Sequence, residues 1–156
     1  MEEAKTMEYR VEVKTVAEQP IAAARLRTTF KLISKEIGSL LSGPWSFLRQ
    51  RPGLRTDGHN VAIYWSMAAG GSIEVGVQVV APFDGTDEVV CSATPAGTVA
   101  TTAHFGPYDK LGVAHEAVMK WCKENGHQMG MPFWEVYGDW DDDPSKLRTD
   151  VFYLLK

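Results

Sequence analysis

The chain is poor in cysteine: it has only Cys91 and Cys122, and neither belongs to a CxxC pair or a Cys/His cluster. A metal site therefore has no support in the sequence, and two reduced core thiols are the expectation. No apolar run approaches the ~20 residues that cross a bilayer. The first residues, Met1-Glu2-Glu3-Ala4-Lys5, are acidic and lack the apolar stretch of a signal peptide. Positive charge is scarce too. Sixteen Lys and Arg against 20 Asp and Glu leave a net charge of -4, which argues against nucleic acid or an anionic membrane as partner, because both need a basic surplus. Gly70-Gly71 and Gly85 read as turns, without the spacing of a phosphate-binding loop. Asp141-Asp142-Asp143-Pro144 reads as a solvated turn, without the spaced ligands and glycine of a calcium loop. No cofactor or metal is expected, and a reducing cytoplasm is the expected location.

What is present describes one globular domain. The 156 residues suit a single core, which at this size buries about two thirds of the unfolded surface. Residues 1–8 are expected to be a flexible N-terminus, with one domain over 9–156. Tyr9 to Val16 alternates apolar and charged residues, and Ile21 to Thr29 is rich in β-compatible residues, so both read as strands. From Phe30 the period becomes helical, with Phe30, Ile33, Ile37, Leu40 and Leu41 in a stripe. Gly43-Pro44 should break or kink that helix. Asn60 to Ser66 and Ile73 to Val79 predict two more strands. The order then returns: strands at Val89 to Ala93 and Thr98 to Phe105, a helix over Tyr108 to Asn125 closed by Gly126, and strands at Phe133 to Trp140 and Leu147 to Leu155.

The halves superpose in outline. Val61-Ala62-Ile63-Tyr64 lies over Trp134-Glu135-Val136-Tyr137, and Ile73-Glu74-Val75 over Thr149-Asp150-Val151. The expected fold is α+β. It is a pair of SHS2-like β-β-α-β-β units (about 9–80 and 88–156) sharing an antiparallel sheet, with both helices on one face. A cleft between the halves would be the natural ligand site.

Phe133, Glu135 and Tyr137 alternate onto one face of their strand, with Trp134 and Val136 on the other. A carboxylate between two rings is expensive if that face is buried, because an unpaired buried charge costs several kcal/mol. Glu135 is therefore the leading functional residue. Ala62 stands at its equivalent place in the first half, so the pocket would hold a single acid. Tyr64, the counterpart of Tyr137, should face it. Tyr108, Tyr153, Phe133, Trp65 and Trp134 are further candidate walls, each with packing as the alternative. Trp45 and Trp121 lie on helix stripes and are expected in the core. His104 and His115 sit in no triad-like pattern and are expected to be hydrogen-bonded structural residues. Cys122 lacks the electropositive setting of a nucleophile.

Several segments of the second half resemble a known family. His104-Phe105-Gly106-Pro107-Tyr108-Asp109 resembles its "GPY" strand-to-helix turn, and Trp121 with Glu124-Asn125-Gly126 its helix end. Pro132-Phe133-Trp134-Glu135-Val136-Tyr137 is similar to its central "P-x-W/F-E-x-Y" strand, and Leu147-Arg148-Thr149-Asp150-Val151 to its closing "RT-E/D" strand. The family is the GyrI-like small-molecule-binding fold, also found as the effector-binding half of some AraC-type and MerR-type regulators. The resemblance implies a pocket with Glu135 at its floor that pairs with cationic aromatic ligands, in a sensor or a sequestering protein. Two alternatives come with it. Some relatives are hydrolases that open cyclopropane rings of genotoxic natural products, which would make Glu135 the acid/base, assisted by Tyr137 or Tyr108. Others counter gyrase poisons through protein contact, a role open to the Asp139 to Asp143 segment. Two departures stand out. No helix-turn-helix segment precedes the domain, so it is not expected to bind DNA itself, and Gly43-Pro44 interrupts the first helix.

Overall fold

The computed structural model describes residues 9–27, 30–54, 58–65 and 72–156. The expected flexible N-terminus and the Gly70-Gly71 turn lie outside them. So do the side chains of Phe30, Ile33 and Ile37 from the first predicted stripe.

The strands are β1 (Glu12–Val16), β2 (Gln19–Arg27), β3 (Asn60–Tyr64), β4 (Ser72–Gln78), β5 (Val90–Thr94), β6 (Gly97–Phe105), β7 (Met129–Tyr137) and β8 (Arg148–Leu155); the helices are α1 (Phe30–Arg49) and α2 (Leu111–Glu124). β1, β4 and β7 fall on segments that alternate with period two. β2 begins at Gln19, two residues ahead of its predicted start at Ile21. Pro20 is its second residue, next to the edge strand β5, where a missing N–H is tolerated. Pro44 does not end α1. The helix runs on to Arg49 because its last turns are anchored: Leu48 is buried with Val77, Val79 and Val89, and the Trp45 indole N–H donates to Asn60 Oδ1 at 2.9 Å.

The sheet has eight strands, all antiparallel to their neighbours, in the order β1-β6-β8-β7-β3-β4-β2-β5. The order is symmetric about the β7–β3 seam. Each outermost strand lies beside a partner from the far half of the sequence, β1 on β6 and β5 beside β2.

Strand alternation gives the sheet two buried faces. On one, Ala62, Tyr64, Val75, Phe133, Val151 and Tyr153 pack with Leu111, Ala114, Val118 and Cys122 of α2. Those four helical residues recur at helical spacing and form one stripe. The helix closes as predicted: Gly126 takes φ 74, and the His127 N–H reaches back to the Cys122 carbonyl at 2.9 Å, a Schellman-type closure that favours glycine. On the other face Ile21, Ala23, Val61, Ile63, Val99 and Trp134 form a second core. Cys122 is buried, whereas Cys91 is only half-buried, and both are free thiols. No helix among the described residues is long and apolar enough to cross a membrane.

Candidate ligand-binding site

The seam between β3 and β7 sets the site. Its register places Tyr64 opposite Phe133, Ala62 opposite Glu135 and Asn60 opposite Tyr137. On the far side of β7, Tyr153 of β8 lies opposite Phe133 and Val151 opposite Glu135. Three rings therefore line up across three strands. Tyr64 and Phe133 stack at 4.7 Å between centroids and 11° between planes, and Phe133 and Tyr153 at 4.9 Å and 15°. Cross-strand aromatic pairs of this kind add to sheet stability beyond their buried area.

Glu135 sits beside this row on the helix-facing side and is 6% exposed. Its small cross-strand neighbours, Ala62 and Val151, leave room for the carboxylate. Oε1 accepts from the Tyr137 hydroxyl at 2.5 Å and, at a longer 3.4 Å, from the Tyr64 hydroxyl. Oε2 lies 2.6 Å from His115 Nε2. The other ring nitrogen, Nδ1, lies 2.7 Å from the Tyr153 hydroxyl. Because a carboxylate can only accept, Nε2 carries the proton in that contact; a neutral imidazole then accepts from Tyr153 at Nδ1. A continuous chain runs Tyr153–His115–Glu135–Tyr137. Its phenols hold their protons: burial first, and then the Glu135 charge, raise the pKa of Tyr64, Tyr137 and Tyr153. Tyr108, in the turn before α2, meets Tyr137 edge-on at 5.8 Å.

No lysine or arginine pairs with Glu135 among the described residues. Arg148 pairs instead with Asp150 at 2.9 Å. Beside the cluster opens a cavity of about 730 Å³, lined by His115, Phe133, Tyr153, Met119, Met129 and Met131. Methionine walls are apolar and conformationally adaptable. Glu135 is not itself on the cavity wall: His115, Phe133 and Tyr153 stand between, and Lys156 also lines the cavity.

The structure gathers Glu135, Tyr137, Tyr64, Phe133, Tyr153 and, at the edge, Tyr108. It separates two sequence candidates from them. Trp134 is buried in the opposite core, stacked on Phe152 at 5.4 Å, because it alternates with Glu135 along β7. Trp65 also packs there, and its indole N–H donates to Glu74. Neither can wall a pocket on the Glu135 side. His115 is hydrogen-bonded, as expected of a structural histidine, but its partners are the site itself. The available signal was its position four residues after Leu111, on the margin of the buried stripe of α2. The three methionines gave no signal, since two of them lie on a strand and meet the third only in the folded chain. No group of side chains suited to a metal ion occurs among the described residues.

The antiparallel sheet with two helices is a fold shared with several solved structures. The crystal structure of the EcmrR C-terminal domain matches with a TM-score of 0.76 at 22% identity, covering 96% of this chain and 99% of that one. SAV2435 bound to tetraphenylphosphonium matches at 0.69 and 12%, covering 96% and 94%. A hydrolase from Listeria innocua matches at 0.61 and 11%, covering 94% and 92%. These likenesses define the class of fold. The family follows from the sequence itself: residues 9–156 match the GyrI-like small molecule binding domain, and the chain belongs to that family. No curated protein sequence matches it.

Proposed function

We propose that the chain binds amphipathic, aromatic, cationic small molecules as a sensor or a sequestering protein, with Glu135 supplying the counter-charge. The observation that carries this is a buried carboxylate set beside a row of stacked rings, with no lysine or arginine paired to it among the described residues. Ring faces attract a desolvated cation by roughly 0.5–2 kcal/mol each. A carboxylate in a low-dielectric setting adds charge pairing that bulk water would screen. The adaptable methionine walls suit ligands of varied outline. His115 is the internal occupant of Oε2; rotating its ring aside would open the carboxylate to the cavity. Fold likeness to a protein bound to tetraphenylphosphonium makes that cation the natural probe. Tetraphenylphosphonium should quench tryptophan fluorescence saturably, and Glu135→Gln should weaken binding by about 2 kcal/mol, roughly thirtyfold. Equal affinity of both proteins would reject the counter-charge role.

The Tyr153–His115–Glu135 chain favours one second function, a hydrolase that adds water across a strained cyclopropane ring. Glu135 would take the proton from water, and Tyr137 or Tyr108 would assist at the departing carbon. General acid–base help of this kind is worth about 10²–10⁴-fold. A ring-opened, water-added product that disappears with Glu135→Gln would establish it. Absence of turnover would leave binding alone.

A further inference from the structure

A second groove, of about 1100 Å³, lies on the sheet face opposite Glu135, across β4, β2 and the edge strand β5. At its base is another buried carboxylate, Glu74, only 3% exposed. Three donors converge on it. Arg25 Nε reaches Oε2 at 2.6 Å, Trp65 Nε1 reaches Oε1 at 2.8 Å, and the Ser92 hydroxyl donates to Oε1 as well. Glu74 thus fixes three side chains that line the groove, Arg25, Trp65 and Ser92. The Trp65 ring is pinned by its N–H. Arg25 is pinned by one of its five donors, while its side chain remains 63% exposed and has no other partner among the described residues.

We infer that this groove is a second small-molecule site, built for an aromatic monocarboxylate. A guanidinium tethered at Nε has lost much of its rotamer freedom before any ligand arrives, and its terminal nitrogens keep the planar fork that matches a carboxylate. Trp65, Pro20, Val80 and Pro82 offer apolar surface for a ring beside that fork. Charge limits the ligand class. Glu74 offsets Arg25, and exposed Glu18 on the rim adds a negative charge. Against these charges a monocarboxylate meets less repulsion than a phosphate dianion, and the Arg25 fork is the one cationic group among the described residues lining the groove to receive it. The site is independent of Glu135, since the sheet separates the two carboxylates.

Calorimetric titration with naphthoate, its neutral analogue naphthylmethanol and inorganic phosphate tests this. Naphthoate should bind saturably and more tightly than the other two. Arg25→Lys keeps the charge facing Glu74 but removes the fork, and should weaken naphthoate at least about tenfold. Glu135→Gln should leave naphthoate affinity unchanged. In the wild-type protein the Arg25 Nε–H resonance should shift with occupancy, a readout that does not depend on any variant folding. The proposal fails if naphthoate binds no better than naphthylmethanol, if Arg25→Lys binds it equally well, if the affinity follows Glu135 instead, or if the Arg25 resonance does not move.

Discussion

Alkaline pH should unfold this protein steeply, because its site is built from phenols that must keep their protons. Tyr64, Tyr137 and Tyr153 have pKa values raised above the ordinary 10.0, by burial and then by the Glu135 charge. In the unfolded chain the same phenols ionise at the ordinary value. The stability they lend is therefore complete below about pH 10 and is lost progressively as the pH rises toward their folded values. Each phenol that ionises only in the unfolded state tilts the balance by about 1.4 kcal/mol per pH unit. Three acting together give roughly 4 kcal/mol per pH unit, against a typical total stability of about 5–15 kcal/mol. Unfolding should follow about one to four units above the ordinary tyrosine value. Urea unfolding over a series of alkaline pH values, with phenolate absorbance followed in the native protein, measures the slope directly. Tyr137→Phe keeps the ring but removes one titrating hydroxyl, so the slope should fall by about a third. Glu135→Gln removes the repulsion, so native phenols should ionise at lower pH and the slope should flatten sooner. An unchanged slope in Tyr137→Phe, or native tyrosines that all ionise together at the ordinary value, would refute the reasoning.

Three other substitutions probe separate parts of the structure. His115→Ala frees Glu135 Oε2 and should raise affinity for tetraphenylphosphonium about tenfold; the same change should abolish turnover if the Tyr153–His115–Glu135 chain performs chemistry, so binding and product assays together separate the two functions. Trp134→Ala should cost about 3–5 kcal/mol in denaturant unfolding while cation affinity stays level in the protein that remains folded, because Trp134 packs on the far side of the sheet. Gly76→Ala would put a Cβ 2.1 Å from the Ala22 carbonyl oxygen and should lower stability by at least about 2 kcal/mol, as overpacking against backbone does.

Local pattern reached far into this molecule. Period-two alternation placed Phe133, Glu135 and Tyr137 on one face of β7 and Trp134 on the other, which follows from strand geometry alone. The same alternation argued against Trp134 as a pocket wall, and its large aromatic side chain was a poor reason to keep it there. The stripe Leu111, Ala114, Val118, Cys122 and the closing Gly126 identified α2 and its end, since a helix's buried face and its terminal glycine are both written in neighbouring residues. Whether Gly43-Pro44 breaks or only kinks the helix was left open by the sequence, because the anchors that hold α1 beyond it, Leu48 and Trp45, find their partners on β3, β4 and the segment leading into β5.

Sequence by itself determined the elements and the face each residue takes within its own strand, Glu135 between Phe133 and Tyr137 included. Tertiary structure alone decided who stands next to whom. Ala62 is the direct neighbour of Glu135 across the seam, and its smallness makes space for the acid. His115 reaches Glu135 only because α2 docks over β6 and β8, the latter being β7's neighbour, and Arg25 and Trp65 converge on Glu74 only because β2, β3 and β4 lie side by side. Contacts between residues far apart in the chain depend on sheet register and helix docking, which are set by the summed burial of the whole core and leave no mark on the spacing within any one segment.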